Sequence, residues 1–494
     1  MAPDTLRTLA ATAIEAAVAA GATYADIRIG DRRAFGFYGA LLGQLTFAYA
    51  YGLRVRVGGS DVFVSGTEST RDAVTQAAQQ AVAKARLLAA IVPADQAFVH
   101  TQPVKGEWHA PCAIDPFTVS VDEHCFLMGR FYEDPRHRTT HPGGYFAWDA
   151  ETRVFASSDG SRTTQYLRGA RTKMWVSDYD WHGELWRVPI TIDGIQIAVP
   201  AIVPQTAGIE CITGADLNAR VDEAATLVTE WRRYPLGQLD VGRYPVVFDG
   251  ETYATILGRT LIPALSLSRV LGEERSIGLG SFLTVEDWGQ TRFAPAVSLS
   301  VGQRAPYFGA AQWDDEGIAT TDFPLIERGR VVNYLATRTT AALASAMGHA
   351  SPVHGVARTP DASGRISALP GTFIVPTEPN DPSLDELFSK MGHGIFAMGI
   401  REITVDPEGT GGTILPSTLF EIRNGAIVRR IYGARLEYST KRLLAGITAT
   451  GHASTVGTAL NRVSDGFPWM LKEQAVHAPA VLCKEIDVAA NSVA

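Results

Sequence analysis

Two alanine-rich helical patterns enclose a series of short strands in the first hundred residues. Residues 4–20 and 69–90 repeat apolar side chains at helical spacing, and Ser69 and Thr70 are candidate caps for the second helix. Because each helix must bury its apolar face against a sheet, this order predicts an α+β fold. Runs rich in β-branched and aromatic residues predict the strands of an antiparallel meander: 24–29, 35–38, 45–49, 52–57 and 61–64.

The rest of the chain predicts a larger part in which strands dominate. A proline-containing connection (91–116) leads to a helix near 119–131, and alternating runs then suggest a middle sheet. After that sheet, one strand (245–248) and one helix (253–271) precede strands and turns that continue to Cys483. We therefore predict three domains: an N-terminal α+β domain (1–105), a middle segment with helix and sheet (106–235) and a β-rich C-terminal domain (236–494).

Composition excludes several classes of protein. The chain has 494 residues, of which 46% are hydrophobic, so it can bury a large core. Its net charge of -8 disfavours nucleic acid as a partner, since duplex binders carry a basic stripe. The most apolar stretch, 253–271, contains Arg259, Pro263 and Arg269, which a bilayer core would penalise, so we expect no membrane span. Four cysteines without a CxxC pair suit the cytoplasm.

Common catalytic motifs are missing from the sequence. It contains no GxSxG, GxxxxGK[ST], strand-bound GxGxxG or HExxH. The glycine-rich 409–412 stretch fits either an anion-binding nest or a simple turn. Two histidine pairs, His137 with His141 and His349 with His354, lie in loop-like sequence, where they are metal ligands or, more often, solvated loop residues.

A run of acidic residues is a further candidate site. Asp314, Asp315 and Glu316 precede a glycine, and three carboxylates in this position could bind a hard cation or a peptide amine. The alternative is a solvated turn between two strands.

Several segments together resemble the TldD/TldE (PmbA) family, the modulator-of-gyrase-type proteins. "GATYADIRIG" and "YGLRVRVGGSDVFVSGTESTRDAVTQAAQQAVAKAR" are similar to the opening of that family, "IDPFTVSVDEH" to its DPF segment, and "VFASSDGSRTTQ" to its SSDG hairpin. "WDDEGIATTDFPLIERGRVVNYLATRTTA" resembles its DDEG strand pair, "GRISALPGTFIVPTEP" its arginine-led loop, and "GGTILPSTLFEIRNGAIVR" its late GG and IxNG pair. The resemblance is dispersed over about residues 5–485 and depends on the order and spacing of the segments.

The resemblance also shows where this chain departs from the family. Members of the TldD type carry HExxxH on a helix, with two histidine ligands for zinc and a glutamate as general base, plus a late cysteine. In "VVFDGETYATILGRTLIPAL" the three positions are Gly258, Arg259 and Pro263, and no cysteine occurs between residues 445 and 468. Glycine and proline offer no ligand and arginine is a permanent cation. We therefore expect no catalytic residue, no metal site and no cofactor in this chain.

The resemblance implies a partner. In the family, a zinc-bearing subunit pairs with a homologous subunit that lacks the motif, and together they cleave small or unfolded peptides. The first hypothesis is that this chain is such a TldE-like subunit, with zinc in an HExxxH-bearing TldD-like partner. Arg259, Asp314, Asp315, Glu316 and Arg365 are its candidate substrate-binding residues. One alternative is an enzyme that modifies a peptide or natural product without this zinc, through the acidic run or the His349/His354 loop, and another is a standalone peptide-binding protein.

Overall fold

The structure is a computed structural model, and it describes residues 1–38, 41–42, 45–91, 98–120, 122–124, 141–178, 195–198, 203–214, 217–466 and 470–490. Its α-helices, numbered in chain order within these ranges, are α1 (Pro3–Ala19), α2 (Arg71–Ile91), α3 (Glu210–Thr213), α4 (Leu217–Arg232), α5 (Gly250–Arg259), α6 (Leu261–Ala264), α7 (Leu267–Val270), α8 (Arg338–Ala346), α9 (Leu384–Met391) and α10 (Thr440–Ala445).

The strands of the first half are β1 (Tyr24–Tyr38), β2 (Leu41–Leu42), β3 (Thr46–Val57), β4 (Ser60–Gly66), β5 (Lys105–His109), β6 (His141–Ser157), β7 (Arg162–Asp178), β8 (Ile195–Ala198), β9 (Leu236–Gly237) and β10 (Gly242–Phe248). Those of the second half are β11 (Leu299–Gly302), β12 (Phe323–Glu327), β13 (Arg330–Val331), β14 (Ala357–Arg358), β15 (Ser367–Ala368), β16 (Thr372–Ile374), β17 (Gly394–Val405), β18 (Gly411–Arg423), β19 (Ala426–Ile431), β20 (Ala434–Ser439), β21 (Ile447–Thr450), β22 (Gly457–Asp465), β23 (Met470–Ala478) and β24 (Val481–Ala490).

An eight-stranded sheet with two helices on one face forms the N-terminal part. The strand order is β4-β3-β1-β6-β7-β5, with β2 paired to β1 and β8 paired to β7. Helices α1 and α2 bury leucine, alanine and valine side chains against Ile27, Leu53 and Val55 of the sheet. Burial of these side chains stabilises the layer at roughly 25 cal/mol per Å² of apolar surface. The predicted α+β fold class is confirmed.

Strands β1 and β3 are longer than the sequence predicts. We expected breaks between 29 and 35 and between 49 and 52, but β1 pairs without interruption with both β3 and β6. Gly30 and Asp31, in the expected break, have low strand propensity. Pairing on both sides overrides that propensity, because each backbone N–H and C=O of a central strand finds a partner.

Strands of the predicted middle segment belong to the same sheet. β6 pairs antiparallel with β1, and the SSDG segment forms the hairpin that joins β6 to β7. The predicted boundary after residue 105 therefore does not interrupt this sheet, and the division into three domains stays a prediction. The predicted helix near 119–131 lies largely outside the described residues.

Two further sheets form the β-rich C-terminal part. In one, β17, β10, β24, β20 and β18 pair in order and β18 pairs again with β17, so the pairings close a ring. The other has the order β13-β12-β11-β16-β23-β22. Helix α5 packs on β22, β23 and β17, between the two sheets. No described helix combines the length and the apolar character that a membrane crossing needs.

The helix predicted over 253–271 is interrupted twice. α5 begins earlier, at Gly250, because the Asp249 carboxylate accepts the backbone N–H of Thr252 at 2.9 Å. Thr260 leaves helical geometry (φ -120°, ψ -73°), and α6 and α7 are each a single turn. Pro263 lacks the N–H that would bond to the carbonyl of Arg259, which explains why α5 ends there.

Candidate functional site

Gly258, the position of the first histidine in the HExxxH motif, is buried against the hairpin of β22 and β23. A Cβ atom at Gly258 would lie 2.2 Å from Nδ2 of Asn461. Gln474, which is opposite Asn461 across the hairpin, donates from Nε2 to the carbonyl of Gly258 at 2.7 Å. Both amide side chains are buried, and that of Asn461 fills the space into which a side chain at position 258 would extend.

Arg259 and Pro263 likewise offer nothing to a metal. Arg259 is half-buried and donates from Nη1 to the carbonyl of Arg462, and Pro263 is buried. Zinc needs about three nitrogen, sulfur or oxygen ligands. The residues at this place do not fit zinc, and no group of three or more His, Cys, Asp or Glu in the described ranges is arranged to hold a metal. Cys483 is buried in β24, and burial raises the pKa of its thiol.

The acidic run is a buried junction between the N-terminal sheet and the C-terminal part. Both carboxylate oxygens of Asp315 accept from Nη1 of Arg153 at 2.8 and 2.9 Å. Glu316 accepts from Nη1 of Arg54 at 2.7 Å and from the backbone N–H of Arg338 at 2.7 Å. Our alternative of a solvated turn is therefore wrong, because all three carboxylates have partners inside the protein.

Asp314 and Asp315 differ in what surrounds them. Asp314 accepts the backbone N–H groups of Glu316, Ile318 and Ala357, and burial together with Glu316 raises its pKa to about 7. Burial would also raise the pKa of Asp315, but the charges of Arg153, Arg28 and Arg358 and the hydrogen bond from Thr359 together outweigh it and hold that pKa at about 2. Asp314 and Asp315 are engaged in structure, and Glu316, although bonded to Arg54 and Arg338, also lines a cavity.

A cavity of about 620 Å³ lies at this junction. It contains Glu316 and Arg365 of the predicted substrate-binding residues, whereas Arg259, Asp314 and Asp315 are not among its walls. The walls come from β3 and β4, from the chain after α7, from the start of α8 and from β15: Arg54, Asp61, Phe63, Ser268, Glu273, Glu274, Glu316, Thr337, Thr339, Thr340, Leu343, Arg365, Ile366, Ser367, Ala368 and Gly466.

Four buried polar residues of the β22–β23 hairpin, which we call the polar row, extend from Gly258 to the cavity. Asn461 and Gln474 face α5, while Asp465 and Lys472 lie 3.1 Å apart beneath the cavity. None of these four residues was predicted as a site residue from the sequence. A signal was present, since Asn461 and Asp465 occupy positions of β22 that alternate with exposed or half-buried ones, where apolar residues are usual.

The other candidate residues from the sequence do not converge on a site. His349 stacks on Trp288 and His354 stacks on Phe323, so each histidine packs against its own aromatic ring. His137 lies outside the described residues. The glycine-rich turn at 409–412 encloses an anion of its own chain, because Asp406 accepts the backbone N–H groups of Glu408, Thr410 and Gly411.

Solved structures share this fold over nearly the whole chain. A proposed modulator of a DNA gyrase from Thermotoga maritima is 15% identical, with 98% of this chain and 100% of that chain covered and a TM-score of 0.70. TldE from Thermococcus kodakarensis is 15% identical at the same coverage, with a TM-score of 0.69. A proposed modulator of DNA gyrase from Bacteroides thetaiotaomicron is 16% identical, with 98% of each chain covered and a TM-score of 0.67.

At these identities the structures establish the fold alone. The family follows from sequence: the model of the PmbA/TldA metallopeptidase C-terminal domain matches residues 241–490, just over half of the chain. The chain belongs to the TldD/TldE (PmbA) family, as the resemblance predicted. No curated protein matches it.

Proposed function

We propose that this chain is the metal-free, TldE-like subunit of a heterodimeric peptidase, and that a TldD-like homologue with HExxxH supplies the zinc. The observation that supports this most is the contact of Gly258 with Asn461 and Gln474. The buried amide of Asn461 occupies the space of a ligand side chain, and the buried amide of Gln474 bonds to the backbone carbonyl. Gly258 thus packs against the β22–β23 hairpin, while the fold around it is that of the family.

The substrates proposed for the complex are small or unfolded peptides. Arg259 is half-buried at the end of α5, and only one of its nitrogens is bonded to the carbonyl of Arg462. A guanidinium in this place is suited to a peptide carboxylate, since its remaining N–H groups form a planar fork. We place the complex in the cytoplasm, where Cys112, Cys211 and Cys483 remain free thiols.

Co-expression with each HExxxH-bearing homologue of the same genome tests the proposal. We expect one of them to co-purify as a complex at the size of a dimer, and to cleave unstructured peptides only in that complex. The matched control is the same partner with its motif glutamate changed to glutamine, which should still assemble but should not cleave. A chain that stays monomeric beside every such homologue, or a partner equally active alone, contradicts the proposal.

A second candidate function is favoured by the cavity at the junction. A family member that modifies a peptide or natural product without the usual zinc needs an enclosed site of its own, and about 620 Å³ is within the usual range of ligand pockets. Of the residues we had considered for that role, only Glu316 lines this cavity. Any chemistry there must come from other side chains.

A further inference from the structure

A serine, a lysine and an aspartate meet in the floor of the cavity. Ser367 of β15 lines the cavity, and its hydroxyl donates to Oδ2 of Asp465 at the end of β22. Nζ of Lys472, on β23, donates to the same hydroxyl oxygen and lies 3.1 Å from Oδ2 of Asp465. The serine oxygen thus lies within hydrogen-bonding distance of both a carboxylate and an amine.

Lys472 is held in one position. It is 5% exposed and also donates to the carbonyls of Arg358 at 2.6 Å and Ser367 at 3.1 Å. Burial lowers the pKa of Lys472, although the attraction of Asp465 opposes this. A buried lysine with a lowered pKa reaches the neutral amine form more easily than a surface lysine, and only the neutral form accepts a proton.

Ser268 provides an internal comparison. It lines the same cavity and donates to Oε1 of Glu274 at 2.6 Å, so it too has a buried carboxylate partner. Among the described residues, no lysine forms a hydrogen bond with Ser268. Ser367 therefore has a lysine amine beside it and Ser268 does not. In Ser–Lys arrangements this amine is the group that activates the serine.

We propose that Ser367 is a nucleophile and Lys472 its general base, in a site that transfers or hydrolyses small acyl groups. Ser367 Oγ bonds to the carbonyl carbon of the bound ester or amide, its proton moves to Nζ of neutral Lys472, and the carbonyl π pair moves to oxygen. Collapse of this adduct breaks the bond to the alcohol or amine, which leaves with the proton from Lys472. Water then releases the acid from Ser367 by the same steps.

The walls of the cavity indicate the class of acyl group. Asp61 and Glu273 line it, and neither carboxylate forms a hydrogen bond or ion pair with any described residue. Of the two arginines in the cavity wall, Arg54 is bonded to Asp26 and Glu316. The other, Arg365, attracts both carboxylates, but burial outweighs it and raises the pKa of Asp61 and of Glu273. A positively charged amine on the acyl group would meet these carboxylates, so the substrate is a small amino-bearing acyl ester or amide, such as an aminoacyl derivative.

Labelling of the chain alone with a fluorophosphonate probe tests the nucleophile. We expect one covalent adduct per chain, mapped by mass spectrometry to the peptide that contains Ser367. The variant Ser367→Ala should lose the adduct, whereas Ser268→Ala should keep it. Because the adduct is mapped on the unaltered protein, the result does not depend on whether a variant folds. No adduct, or an adduct on another residue, overturns the proposal, and a merely structural contact of Ser367 with Asp465 would give none.

A matched pair of esters tests the substrate class. Alanine para-nitrophenyl ester and propionic acid para-nitrophenyl ester differ only by the amino group. We expect Ser367-dependent hydrolysis in which kcat/KM, divided by the rate of each ester with hydroxide alone, is about tenfold higher for the alanine ester, the effect of roughly one ion pair. Equal rates, or a faster reaction of the propionic ester, overturn the assigned class. These assays use the isolated chain, so they can succeed even if no HExxxH partner is found.

Discussion

Asp249 is the residue whose titration bears most directly on the stability of α5. Burial raises its pKa to about 6, and Oδ1 accepts the N–H groups of both Thr252 and Gly399. A carboxyl whose folded pKa exceeds the unfolded value of about 4 contributes stability at low pH that is lost as the pH rises to about 6.

The variant Asp249→Asn should remove this pH dependence. Asparagine retains an oxygen that can accept both hydrogen bonds, but it does not ionise. We expect the free energy of unfolding of the natural chain to fall by about 1 to 3 kcal/mol, relative to the variant, between pH about 4 and about 6. Urea unfolding at both pH values measures it. Parallel curves for the two proteins would show that Asp249 does not titrate in this range.

Gly258 gives the second prediction at this scale. Glycine to alanine within a helix is normally stabilising by about 1 kcal/mol. Here the new methyl group would lie 2.2 Å from Nδ2 of Asn461, so Gly258→Ala should instead destabilise the chain by about 1 to 3 kcal/mol.

Two further variants isolate the cause of that loss. Gly242→Ala is the control, because its added carbon meets Tyr244 at an ordinary 3.6 Å. Combining Gly258→Ala with Asn461→Ala should recover most of the loss, since the clashing amide is gone. A stabilising effect of Gly258→Ala alone would mean that position 258 retains room for a ligand side chain.

At the scale of elements, α5 is held to the β22–β23 hairpin by Gln474. Its amide donates to the carbonyl of Gly258 and is fully buried. Gln474→Leu leaves that carbonyl without its donor, which should cost about 1 to 3 kcal/mol. Hydrogen exchange should accelerate in the peptide that covers α5. The exposed Gln290→Leu serves as control, and unchanged protection of α5 in Gln474→Leu would refute this role.

The elements that sequence predicted well are those whose pattern is local. Apolar spacing fixed α1 and α2 to within two residues of their ends. The break in β1 was predicted wrongly because its pairing with β6 comes from residues more than a hundred positions away. The interruption at Thr260 was missed although Pro263 was visible, because a proline interrupts a helix upstream of its own position.

At the scale of the whole molecule, the N-terminal sheet and the C-terminal part meet through buried ion pairs. Asp315→Asn weakens the pair with Arg153 and leaves a buried guanidinium only partly neutralised, so the free energy of unfolding should fall by about 3 kcal/mol. Glu437→Gln, which breaks the exposed pair with Arg435, should change it by less than about 1 kcal/mol. Equal effects in urea unfolding would show that the junction contributes no more than a surface contact.

The candidate site was only partly predictable from the sequence, because some of its residues lie far apart along the chain. The resemblance located Gly258, Arg259 and Pro263 because they occupy the positions of one short motif, HExxxH. Ser367, Asp465 and Lys472 belong to three strands and no short motif includes them, so only the fold brings them together. Glu316 and Arg365 were predicted and do line the cavity, while Asp314 and Asp315 proved to be engaged in structure.

Under the proposed function, this chain holds no metal and its partner supplies the zinc. Elemental analysis of the chain purified alone, after dialysis against a weak chelator, tests it most directly. Because Gly258, Arg259 and Pro263 supply no ligand, we predict zinc far below one atom per chain. About one tightly held zinc per chain would contradict the account.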